Sequence, residues 1–293
     1  MTRVGIGPIG WANDDIRAWG RGTPGETIMR QMAELGFEGS EMSYTFPQDP
    51  SELREALDRY GLRLAGAYRW TNFVYQELVE QEIETAKAHV DFCKAAGARY
   101  ANLAEGGHSL HWDRHGPQDC VTPLTDDEWD RLQSALHAVG RYARDQEIVL
   151  SVHPHGGTAI ETEAQIDRLF GSTDPDLVGY CLDTGHIAYG GGDPGRVAAR
   201  WCDRVRYLHL KDVRLEVLQR VQAEGLTFVQ AVMAGVFCGP GAGDLDFAPV
   251  LMALQAAGYQ GWYIVEAEQD PQAHDPVEVG RRARAFLRQR YGL

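Results

Sequence analysis

Eight strand-like stretches, each followed by a segment of helical spacing, divide this chain, and a chain patterned in that way can close into few architectures. The strand-like stretches lie at 4–9, 39–42, 62–68, 100–105, 148–153, 177–183, 205–211 and 262–266. Helical patterns follow at 27–35, 50–60, 77–96, 125–145, 161–170, 195–201, 249–257 and 277–290. Local signals agree with these limits: Gly36 stands where a helix C-cap belongs, and Thr125-Asp126-Asp127-Glu128 has the form of a capping box. With no linker or low-complexity stretch between the units, the pattern predicts one (β/α)8 TIM barrel spanning 1–293. A doubly wound sheet is the structural alternative, but the first strand–helix turn carries no G-x-G-x-x-G.

One stretch is surplus to a barrel. Residues 212–246 contain a helical part, 215–234, and the loop Gly239-Pro240-Gly241-Ala242-Gly243. Leu215, Leu218, Val221, Leu226, Val229, Val232 and Met233 form an apolar stripe along it. Such a stripe covers a site as a lid or packs on a partner subunit in a homo-oligomer.

In a barrel of this kind the strands deliver polar side chains to a site at their C-terminal ends. The run Leu177-Val178-Gly179-Tyr180-Cys181-Leu182 ends in Asp183, with His186 three residues on. Other strand ends are just as polar: Asn13 and Asp14, Glu41, Arg69, Glu105, His153 and His155, His209 and Lys211, Glu266 and Glu268. Residues two apart in a strand share a face, so His209 pairs with Lys211 and Glu266 with Glu268. His153, Asp183, His209 and Glu266 come from four neighbouring strands, and two imidazoles with two carboxylates make a mixed N/O set suited to Mn, Co or Zn. A lone inward histidine is more often a core residue, Asp183 could cap the helix after it, and Glu266 could pair with Lys211. Convergence of four strand ends favours the metal site over four separate structural reasons.

Composition narrows the partners. Acidic residues outnumber basic ones by 42 to 28, a formal charge of -14, which opposes nucleic acid and anionic membranes and suits a neutral or metal-bound substrate. Cys93, Cys120, Cys181, Cys202 and Cys238 are odd in number and scattered, as in a reduced, cytoplasmic protein. No signal sequence or membrane-length apolar run is evident. Trp11, Trp70 and Trp112 follow strands and could wall a sugar-like ring or serve as ordinary packing.

Cys181-Leu182-Asp183-Thr184-Gly185-His186, His209-Leu210-Lys211-Asp212 and Val265-Glu266 resemble the xylose-isomerase-like barrels. Adding 9–15, His153-Pro154-His155, 235–247 and 266–271, the chain resembles the inosose dehydratase branch over nearly its whole length. The resemblance implies removal of water from a ketoinositol in inositol breakdown, and a divalent ion, Mn or Co first, Zn or Mg as alternatives. Asp183, His209 and Glu266 match the ligand pattern directly. Strand five departs from it, since many relatives carry a glutamate there; His153 or His155 substitutes, or water or substrate completes the set.

On this reading the substrate is a small polyhydroxylated ketone, whose α-proton must leave to a base while an acid assists loss of the β-hydroxyl. Lys211, His186, His155 and Glu268 are the candidates, with Lys211 preferred as base and His186 as acid. A nearby dication would disfavour the ammonium form of Lys211. Asn13, Asp14, Trp11, Glu41, Glu105 and Arg214 are available to ring hydroxyls. A ketose isomerase or epimerase shares the first step, and a non-catalytic sugar-binding barrel would need no ligand set. A nucleic-acid phosphodiesterase is disfavoured by charge and by too few histidines.

Overall fold

The computed structural model describes residues 3–109 and 122–293. Strands β1 (Arg3–Ile6), β2 (Gly39–Glu41), β3 (Arg63–Thr71), β4 (Tyr100–Glu105), β5 (Val149–Val152), β6 (Gly179–Asp183), β7 (Val205–Val213) and β9 (Trp262–Glu266) pair in parallel in that order. β1 pairs with β9 and β6 with β7, so the sheet is a closed barrel and not a doubly wound sheet. Helices α1 (Gly25–Glu34), α2 (Pro50–Asp58), α3 (Val79–Ala95), α4 (Asp126–Asp145) and α5 (Glu163–Ser172) surround it, followed by α6 (Thr184–Tyr189) and α7 (Pro194–Trp201). The capping box at Thr125 forms, its hydroxyl accepting from Glu128 N–H while the Glu128 carboxylate accepts from Thr125 N–H at 2.7 Å. A second box, Thr162 with Gln165, sets the start of α5 two residues beyond the sequence expectation.

Two apolar layers follow from the pleat. Outside the barrel, Leu103, Leu150, Leu182, Leu208 and Val265 pack against the helices. Inside, Ala65, Tyr100, Cys181, Tyr207, Trp262 and Ile264 form a plug, above which the strands end. A bulge makes β3 depart from simple alternation. Ser40 pairs with Leu64 but Glu41 with Gly66, so Ala65 is an extra residue. Ala65 and Gly66 therefore both face inward, and Tyr68 follows Gly66 into the barrel while Arg69 pairs with Leu103 of the outer layer.

The surplus stretch begins later than the sequence suggested. β7 runs through Asp212 and Val213, which pair antiparallel with the short strand β8 (Phe237–Cys238). Between them lie two helices where one helical part was expected, α8 (Leu215–Glu224) and α9 (Phe228–Met233), because Gly225 turns left-handed at φ 62° and Thr227 starts a new capping box. Of their apolar stripe, Leu218, Val221, Leu226, Val229 and Val232 join Tyr189, Val213 and Phe237 in a small second core, while Leu215 and Met233 at its ends are exposed. Beyond β8 come α10 (Ala248–Ala256) and α11 (Pro276–Tyr291). Among the described residues no helix is long and apolar enough to cross a membrane.

Asp212 holds this extension to the barrel. Its buried carboxylate accepts four backbone N–H groups, from Val213 at 2.9 Å, Gly241 at 2.9 Å, Gly243 at 3.0 Å and Leu245 at 3.0 Å. A Cβ on Gly243 would stand 2.5 Å from the Asp212 oxygen, so the glycine is what lets the loop close on the carboxylate. Asp212→Ala strands several buried donors at once. It should cost on the order of 3 kcal/mol, read as a lower urea midpoint at unchanged slope; an unchanged midpoint rules the anchoring role out.

Candidate active site

The motif at the end of β6 resolves into four separate tasks. Asp183 is the N-cap of α6, its Oδ1 accepting from His186 N–H at 2.9 Å. Thr184 ties the turn to β7, donating to Lys211 O at 2.7 Å and accepting Lys211 N–H at 3.0 Å. A Cβ on Gly185 would meet the Lys211 stem at 2.6 Å, so only glycine leaves room for that side chain. His186 then meets Lys211 Nζ through Nε2 at 3.0 Å.

With one oxygen spent on the cap, Asp183 turns the other, Oδ2, toward His153 Nε2 at 3.5 Å and His209 Nδ1 at 3.3 Å. His209 Nδ1 is also 2.8 Å from Glu266 Oε2. Register produces this meeting: Asp183 and His209 are Cα partners across β6 and β7, as are Lys211 and Glu266 across β7 and β9. One atom from each of His153, Asp183, His209 and Glu266 lies within 4.8 Å of the others, all four residues buried. An ion at about 2.1 Å from its ligands needs them roughly 3 to 4 Å apart.

Hydrogen bonding supports the same use of these atoms. His153 Nε2, Asp183 Oδ2, His209 Nδ1 and Glu266 Oε2 have no hydrogen-bond partner among the described residues although they are buried. Buried polar atoms left unbonded are costly, and here they face one point. His209 Nε2 is taken by Glu41 Oε1 at 2.9 Å, which assigns the ring proton to Nε2 and leaves Nδ1 as the ligand atom. The cluster thus fits a divalent metal ion.

Charge balance leads to the same place. Burial opposes the charged form of Asp183, but Lys211 and His186 outweigh it and hold the carboxyl well below its usual range. Burial keeps His153 neutral. It also works against charge on His209, yet Glu41 and Glu266 carry that pKa upward, while Cys181 beneath remains a thiol because burial raises its pKa. For Lys211, burial is outweighed by Glu266, Glu268 and Asp183 at 3.0, 3.2 and 3.9 Å, so its pKa is raised. This is the direction in the ion-free site, whereas the depression expected from sequence concerns a lysine beside a bound dication.

Above the cluster opens a cavity of about 590 Å³, lined by Asp14, Glu41, Tyr68, Trp70, His153, His155, His209 and Glu266 among others. Lys211 and His186 stand one layer behind its wall, 0% and 3% exposed, and so does Glu268, which accepts from Lys211 and from Asn13 Nδ2 at 3.4 Å. Behind His186, Phe228 of α9 stacks on the ring with centroids 5.5 Å apart. His155 reaches the cavity. Its Nδ1 meets Gly156 O at 2.9 Å, which makes Nε2 the basic nitrogen.

Several residues expected at the substrate lie elsewhere. Asn13 accepts from Asp15 and Ile16 N–H and organises the turn after β1. Trp11 is buried with its indole N–H on Gln31 at 2.7 Å. Glu105 joins the loops after β3 and β4, accepting from Phe73 N–H at 2.9 Å and Gly107 N–H at 2.8 Å, with its pKa pushed by burial to about 8. Arg214 donates to Gly235 O at 2.6 Å within the extension. Glu41 lines the cavity but serves His209, and Asp14 is at the mouth beside Arg17. Trp112 and Cys120 are outside the described residues. Sequence reasoning named Arg69 at the end of β3 and missed its neighbour Tyr68; both line the cavity, and the bulge at Ala65 is what turns Tyr68 inward.

Comparison with known proteins agrees with this architecture. Residues 29–290 match the family described as xylose isomerase-like TIM barrel. The inosose dehydratase of Geobacillus kaustophilus (strain HTA426) is 41% identical over 97% of this chain and 93% of its own length. That of Bacillus cereus (strain AH820) is 36% identical over 99% and 98%. Among solved structures, an L-ribulose 3-epimerase superposes with a TM-score of 0.72 at 19% identity, covering 98% of this chain and 93% of that one. A probable 3-DHS dehydratase from Bacillus anthracis superposes with a TM-score of 0.69 at 14% identity, covering 99% and 100%. Identities that low carry the fold alone, whereas the full-length relatives carry the activity class: the chain belongs to the inosose dehydratase family of xylose isomerase-like TIM barrels and is a hydro-lyase.

Proposed function

We propose that this enzyme dehydrates 2-keto-myo-inositol to a trihydroxycyclohexane dione in inositol catabolism, using Mn or Co at His153, Asp183, His209 and Glu266. The observation that carries the reading is the convergence of four unbonded ligand atoms beneath a cavity large enough for a six-membered polyol. A divalent ion in that set supplies Lewis acidity, stabilising negative charge on a substrate oxygen as the α-proton leaves. The protein's residues do the rest. His155, on the cavity wall with Nε2 basic, takes the proton from the carbon beside the ketone. The same proton passes to the β-hydroxyl, the C–O bond breaks, water leaves, and the resulting enol ketonises to the dione. Lys211, His186 and Glu268 lie behind the wall and act as positioning residues. Lys211 fixes Glu266 and Asp183, and His186 with Glu268 fixes Lys211.

Asp183→Asn keeps an oxygen for the α6 cap and removes the ligand charge. It should remain folded, lose bound metal by elemental analysis, and lose turnover of the ketoinositol followed by dione absorbance. Full activity in a folded, metal-free variant ends the metal mechanism, and recovery of a ketose isomer in place of the dione ends the dehydratase reading.

Because His209 carries a raised pKa in the ion-free site and its Nδ1 must be bare to ligate, ion binding has to release a proton. The sign is definite: affinity rises with pH below the His209 pKa, by about tenfold per unit. Titration calorimetry in buffers of different ionisation enthalpy reads the released proton, and buffer-independent heats contradict the ligand assignment.

His155→Gln should retain the ion and lose about 10²- to 10⁴-fold in turnover. Exchange of the substrate α-hydrogen with deuterated solvent should be lost with it. If exchange persists in that variant, the base is another group, and Lys211 is the next to test.

A further inference from the structure

Tyr68 has no part in the ligand set or the proton transfer, yet its environment is peculiar. The phenol oxygen is buried and has no hydrogen-bond partner among the described residues. Its ring lines the cavity, edge-on to His153 with centroids 5.7 Å apart and edge-on to Trp70 at 5.4 Å. Nothing about the fold requires a hydroxyl there. Phenylalanine would fill the same volume and spare the cost of an unpaired buried donor. A tyrosine kept at such a position makes sense if the partner for its O–H arrives with the substrate.

Placement in the barrel says how the substrate meets it. The ligand set comes from β5, β6, β7 and β9, whereas Tyr68 rises from β3, which stands across the barrel from β7 and His209. It owes its inward direction to the bulge at Ala65. β3 side chains nevertheless reach those of β5, Tyr68 lying 5.7 Å from His153 and Trp70 5.0 Å from His155 between ring centroids, so a ring held over the ligand set comes within reach of the phenol. We propose that the Tyr68 hydroxyl donates a hydrogen bond to a ring hydroxyl of the substrate, and so selects a polyhydroxylated ring over less hydroxylated ketones. This rests on the ketoinositol reading above.

The site then has an opposite effect on stability and on binding, which a purely structural tyrosine would not show. Tyr68→Phe should raise the Tm of the substrate-free protein by about 2 °C, because it removes an unpaired buried donor. It should raise KM for the ketoinositol about tenfold, with kcat within about threefold of wild type. Ketoinositols each lacking one ring hydroxyl complete the cycle: one of them should lose about tenfold in kcat/KM with wild type and nothing further with Tyr68→Phe. If the wild type turns over the ketoinositol while Tyr68→Phe keeps its KM, or loses Tm, the assignment is overturned on its own. A wild type inert to ketoinositol overturns the reading of function and takes the assignment with it.

Discussion

The molecule is built around a cost: Glu41, Asp183, Glu266 and Glu268 are all buried at one mouth of a barrel with few nearby cations. Negative charges brought together out of water repel one another and lose hydration, so each needs a fixed compensating group. Lys211 is that group for three of them, lying between Asp183, Glu266 and Glu268. Much of the neighbouring sequence serves to place it. Gly185 gives its stem room, Thr184 ties its backbone on both sides, Phe237 lies under the ammonium at 4.6 Å, and the residue that follows it, Asp212, locks the chain to the loop at 239–245. The remaining imbalance is met at His209, whose pKa Glu41 and Glu266 carry upward against burial.

That arrangement explains why Asp183 satisfies two readings that looked exclusive in the sequence. One carboxylate oxygen caps a helix and the other stays unbonded toward the cluster. The cap is what aims the second oxygen, since a carboxylate fixed by one end cannot rotate to relieve the other. Structural and chemical roles here belong to one side chain because the chemistry needs the rigidity that the cap supplies.

Much of this was legible from period and spacing. The barrel follows from eight strand–helix alternations, and the convergence of His153, Asp183, His209 and Glu266 follows from polar strand ends, because strand ends are where local sequence and global position coincide. What sequence could not assign was which polar residue stands at the wall and which stands behind it. Lys211 and His155 both follow apolar strands, but one is enclosed by β9 and the extension while the other borders the cavity. Asn13, Glu105 and Arg214 look like substrate groups by type and position, yet each is spent on backbone N–H or C=O groups of loops, a demand that emerges only once those loops fold. The bulge at Ala65 has no sequence signature, and it sets the register that turns Tyr68 into the barrel.

The two halves of the barrel mouth consequently differ in how they trade stability for function. On β5, β6, β7 and β9 the unbonded atoms form a set that fits a divalent ion, which would relieve them whether or not substrate is present. On β3 the unbonded Tyr68 hydroxyl has no such resident partner among the described residues. Its cost is borne by the resting protein and relieved only when a polyol occupies the cavity, so the energy appears as selectivity and not as fold stability. A net charge of -14 is compatible with both halves, since it favours the approach of a cation and does not oppose a neutral polyol. Its sign disfavours phosphorylated sugars at long range, although Arg17 and Arg69 line the same cavity, while Lys211 beside the ligand set is already held by carboxylates.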